Sequence, residues 1–63
     1  MEKLELDDTQ ELATGIYEIW SSSFAAEVKK DGNIIKRFSG ETAWSDAERF
    51  VSDLRFSEMY QTH

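Results

Sequence analysis

The chain has 63 residues, with 13 Asp+Glu against 7 Lys+Arg, one His and no Cys. A chain this short makes one small domain that hides only about 60% of the surface its unfolded form exposes, so it needs dense packing, a partner subunit or a bound target. Without cysteine there is no disulfide and no thiolate zinc site, and one histidine cannot anchor a typical metal site. No apolar run approaches the roughly 20 residues of a membrane span, and the acidic start, Met1 to Asp8, is the opposite of a signal or transit peptide. The expectation is a soluble cytoplasmic protein with no cofactor, no metal and no membrane contact.

Charge is unevenly placed. Residues 1–18 carry Glu2, Glu5, Asp7, Asp8, Glu11 and Glu18 against Lys3 alone, and residues 19–63 are close to neutral. Residues 1–14 therefore read as an acidic arm, flexible or a short helix, ahead of a single β-β-α domain over residues 15–63. Such an arm repels nucleic acid and membrane surfaces and suits a basic partner. The plainer reading is a solvated terminus.

The next segment, Gly15-Ile16-Tyr17-Glu18-Ile19-Trp20, is rich in β-branched and aromatic residues, which favours a strand. The rival is a helix over residues 9–20, capped by Asp8 and Glu11, with Leu12, Ile16, Ile19 and Trp20 on one side. Gly15 would cost that helix about 1 kcal/mol relative to Ala, so the strand is preferred. Ser21-Ser22-Ser23 then forms a bend.

Asp31-Gly32 between two alternating runs signals a β-hairpin. A two-residue loop sets Val28 opposite Ile35 and Ala26 opposite Arg37. A three-residue bulged loop sets Val28 opposite Ile34, Ala26 opposite Lys36 and Phe24 opposite Phe38. The second gathers more apolar side chains on one face and is preferred. Lys36 is its misfit, with a stem that can lie along the sheet while the ammonium reaches water.

Ser45-Asp46-Ala47-Glu48 has the form of a capping box. Ala47, Phe50, Val51 and Leu54 follow at helical spacing, predicting an amphipathic helix from Asp46 to about Arg55, or on to Tyr60. The expected fold is α+β: a small antiparallel β-hairpin of two or three strands with this C-terminal helix packed on one face. The expected core is Trp20, Phe24, Val28, Ile34, Phe38, Ala47, Phe50, Val51 and Leu54.

The residues offer little for catalysis. The sole histidine is His63, the final residue, and the serine run lacks the flanking glycines of a nucleophile elbow. The carboxylates of the arm have no cleft to tune them. Asp31-Gly32-Asn33 lacks the closing glutamate of a calcium loop, since Thr42 stands at that position. Lys29, Lys30, Lys36 and Arg37 form a basic patch diluted by Glu27 and Asp31, which reads more naturally as edge-strand charge than as a phosphate site.

Eight aromatics are many for 63 residues. Trp44, Phe56, Met59 and Tyr60 fall outside the predicted helix stripe, either wrapping a small core or forming a protein-binding patch. With Glu5, Asp7, Asp8 and Glu11 of the arm they make the candidate partner-binding set. The expected function is a non-catalytic acidic protein-binding module that binds a protein, or itself, through an exposed sheet face or edge and the C-terminal aromatics, of the kind a phage or mobile element uses to occlude a host protein, with a basic or nucleic-acid-binding partner. The alternative is a bacterial accessory or regulatory protein stable as a homodimer. A nucleic-acid-binding hairpin carries the least weight.

Overall fold

The computed structural model describes residues 3–61, with side chains through Met59. Among them the chain forms β1 (Glu5–Leu12), β2 (Gly15–Ser21), β3 (Ala25–Lys30), β4 (Asn33–Ser39) and α1 (Ala43–Gln61). The strands follow one another in a four-stranded antiparallel meander, β1-β2-β3-β4, and α1 packs across β2, β3 and β4. This is the expected α+β arrangement of a sheet under one C-terminal helix, with four strands where two or three were expected. None of the helices among the described residues is long and apolar enough to cross a membrane.

The additional strand is β1, in the stretch expected to be a flexible or helical arm. Its sequence, ELDDTQEL, has weak strand propensity, yet it pairs along β2 from Leu12 opposite Gly15 to Glu5 opposite Ser21. A bulge at Asp7 interrupts the ladder. Pairing with a strong neighbour overrides local preference here. β2 is the preferred strand, not the rival helix, and the two-residue turn Ala13-Thr14 joins it to β1.

Residues directly opposite in a ladder share a face, which fixes the two sides of the sheet. Tyr17, Ile19, Ala26 and Val28 point toward the helix, where they meet Ala43, Ala47 and Val51, all of them buried. Leu12, Phe38, Phe50 and Leu54 pack around this cluster, and the rings of Phe38 and Phe50 meet edge to face with centroids 6.1 Å apart. Val28, Ala47 and Val51 are thus fully in the core as expected, with Phe38, Phe50 and Leu54 at its margin.

Trp20, Phe24 and Ile34 are not in the core. Trp20 lies opposite Leu6 and Glu27 on the helix-free side, while Phe24 and Ile34 stay 55% and 43% exposed. In β2 both alternating sets are apolar, and helix docking selects Tyr17 and Ile19. In the β3–β4 hairpin neither expected register forms. Asp31-Gly32 is a tight two-residue turn with Lys29 opposite Ile34, and the bulge comes after it at Ile35. The tight turn thus turns Ile34 outward beside Lys29, and the bulge brings Lys36 opposite Val28 and Phe38 opposite Ala26 on the helix side. Lys36 occupies the apolar face as expected, with its Nζ 5.8 Å from the centre of the Phe38 ring.

The helix begins three residues, about one turn, earlier in the chain than the serine motif implies: Thr42, not Ser45, precedes it. The Thr42 carbonyl accepts the Asp46 N–H at 2.8 Å, and the Thr42 hydroxyl donates to the Asp46 carboxylate at 3.1 Å. Ala43 is buried, so starting at residue 43 extends the apolar stripe Ala43, Ala47, Val51 by one turn. Ser45 and Glu48 therefore lie inside the first turns.

Candidate functional surface

The expected partner-binding residues are placed on three separate parts of the molecule. Trp44, 42% exposed, is in the first turn of α1. Met59 lies 15 residues on, about 22 Å along the helix. Phe56 and Met59 are neighbours at i, i+3 and are 59% and 69% exposed. Tyr60 lies outside the described side chains, and His63 outside the described residues. The structure therefore pairs Phe56 with Met59 and separates both from Trp44.

The acidic residues Glu5, Asp7, Asp8 and Glu11 are all on β1, at one edge of the sheet. Asp8 faces the helix side opposite Ile19, and its carboxylate accepts the Gln10 side-chain amide at 3.0 Å. Glu11 faces the other side opposite Ile16, and Asp7 sits at the bulge. They form a fixed row rather than a loose tail.

The exposed sheet face, whose residues could not be assigned from the sequence, is the helix-free side of the sheet. Its central row runs across all four strands as Leu6, Trp20, Glu27 and Arg37, and the next as Thr9, Glu18, Lys29 and Ile34. Leu6 and Ile16 are 48% and 45% exposed. The charges among them are matched. Arg37 Nε lies 3.1 Å from the Glu27 carboxylate. Lys29 Nζ sits 4.2 Å above the Trp20 ring, and the Trp20 indole N–H donates to Glu18 at 3.1 Å. Trp20 therefore has a cation over its ring and a carboxylate on its indole N–H. The alternation Ile16, Glu18, Trp20 was a readable signal, but equally apolar Tyr17 and Ile19 masked which set faces outward.

The opposite end of the molecule is a structural clamp. Glu58, near the C-terminal end of α1, accepts the Ala13 N–H at 2.9 Å and the Thr14 hydroxyl at 2.5 Å. Tyr17 O–H lies 2.9 Å from the same Thr14 oxygen. The Thr14 hydrogen bond, with further ones from the Ala13 and Thr14 backbone and the charge of Lys30, holds the Glu58 carboxyl below the usual glutamate range, against a smaller opposing desolvation. Among the described residues, no group of three His, Cys, Asp or Glu is placed to hold a metal ion. Comparison with family models, curated proteins and solved structures gives no match.

Proposed function

We propose that the chain is a non-catalytic protein-binding module that docks through the helix-free face of its sheet. The observation that carries this reading is the set of exposed Leu6, Ile16 and Ile34 around a half-buried Trp20, among charges that are already paired within the face. Covering an apolar surface is favourable, and burying unpaired charge is what usually opposes it. Here the partner need not supply counter-charges for Glu27, Arg37 or Lys29. Trp20, at the middle of the row, is the natural anchor, since interface energy concentrates in such aromatics.

The test compares wild-type chain with a Leu6→Ser, Trp20→Ala variant as bait in a bacterial lysate, with circular dichroism confirming that both are folded. A protein retained by the wild type and lost by the variant supports the reading. Equal retention by both removes the sheet face as the docking surface.

A further inference from the structure

We propose that the acidic edge strand β1 of one copy pairs with the basic edge strand β4 of a second copy. This does not rest on the helix-free face as a docking surface. β1 pairs only with β2, and β4 only with β3, among the described residues. Each therefore turns a row of backbone N–H and C=O groups away from the sheet, a template for another strand. Lengths of 8 and 7 residues match, giving a joint of about 23 Å at the usual strand rise.

Charge selects the pairing. β1 carries Glu5, Asp7, Asp8 and Glu11 with no base, and β4 carries Lys36 and Arg37 with no acid. Two β1 edges repel each other, as do two β4 edges, so both symmetric joints are disfavoured and the β1–β4 joint is favoured. The match holds on both sides of the sheet. β1 shows Asp8 on the helix side and Glu11 on the other; β4 shows Lys36 on the helix side and Arg37 on the other. Arg37 shares its charge with Glu27, yet its side chain remains 71% exposed.

Shape agrees with charge. Because α1 packs over β2, β3 and β4, the helix side of β1 is a ledge, with Glu5 exposed and Asp8 and Gln10 only partly buried. In the proposed joint the β4 flank of a second copy would lie beside that ledge, with Lys36 and Arg49 meeting the β1 carboxylates and the α1 carboxylates Asp46 and Asp53 set beside them. Such a joint uses different surfaces on the two copies, so it leaves one free edge of each kind and can repeat into a ring or an open chain.

Sedimentation velocity across protein concentration and salt tests this. The wild type is expected to gain mass with concentration at low salt and to return to monomer as salt rises. Reversing one edge, by Glu5→Lys with Glu11→Lys or by Lys36→Glu with Arg37→Glu, should weaken association by about tenfold or more. Mixing the two reversed variants should restore it. Trp20→Ala should leave it unchanged, which separates the edge joint from the helix-free face. Circular dichroism checks folding, and Glu5→Gln with Glu11→Gln, a milder change, should weaken association in the same direction. A wild type that stays monomeric at every concentration overturns the proposal, including one that instead binds a synthetic acidic peptide along β4. So does a reversed variant that assembles as well as the wild type.

Discussion

The Asp31 carboxylate occupies the space that a Cβ on Gly15 would need. Its Oδ2 would lie 2.7 Å from that atom, while Oδ1 accepts the Ile16 N–H at 3.0 Å. The Asp31 N–H in turn donates to the Ile16 carbonyl at 2.9 Å. The β3–β4 turn is thereby tied to the start of β2, across a position that disfavours any side chain. Gly15 also has φ +153°, in the region that side chains disfavour.

Gly15→Ala is therefore expected to destabilise the fold by about 1–3 kcal/mol, through backbone strain and displacement of Asp31. Thermal melting measures the loss. A melting curve that overlays the wild type would show that Asp31 moves aside freely and that the backbone relaxes.

Adjacent residues of β2 should respond differently. Ile19 is 1% exposed and Trp20 faces away from the helix. Ile19→Ala should cost about 2–5 kcal/mol, as for a buried aliphatic. Trp20→Ala, despite removing more atoms, should cost less. Urea denaturation of the two variants ranks them, and the opposite order would mean that the sheet buries its other face.

On α1, Val51 is fully buried and Phe50 only partly so. Val51→Ala should cost about 2 kcal/mol from lost methyl burial and the cavity left. Phe50→Ala should fall below the about 3–5 kcal/mol typical of a fully enclosed phenylalanine. A Phe50→Ala loss at or above that range would place Phe50 inside the core instead of at its margin.

Glu58 makes stability depend on pH. Its folded pKa is depressed, chiefly by the Thr14 hydrogen bond. The stabilisation is therefore fully present above the unfolded glutamate value of about 4.3 and is lost as pH falls through the lower folded value. Glu58→Gln should be less stable than the wild type at neutral pH, and the gap should narrow on acidification below that range. A gap that stays constant with pH would show that the carboxylate charge plays no part in the clamp.

The parts of this fold that could be read in advance are those with a local physical signal. Asp31-Gly32 gave the turn because it needs positive φ, and Asp31 and Gly32 have φ 51° and 89°. Ala47, Val51 and Leu54 gave the helix face through their spacing. β1 was not readable, because its strand state comes from β2 beside it and not from Glu5-Leu6-Asp7-Asp8. The sides of β2 were ambiguous because Ile16 and Trp20 compete with Tyr17 and Ile19 on equal apolar terms. The separation of Trp44 from Phe56 and Met59 followed from helix length, which the serine motif understated.

The clamp at Glu58 also sets a timetable for the newborn chain. Glu58 closes a turn made 45 residues earlier, at Ala13. At about 5–20 residues per second, translation takes about 2–9 s to cover that interval. A hairpin of β1 and β2 can form within about 10 μs. For seconds, then, it has neither its helix nor its latch, and the Tyr17 and Ile19 side is uncovered. During that wait the carboxylates of β1 repel the same edge of a neighbouring chain that has not yet made β4, so the least strand-like segment of the molecule opposes pairing between two unfinished copies.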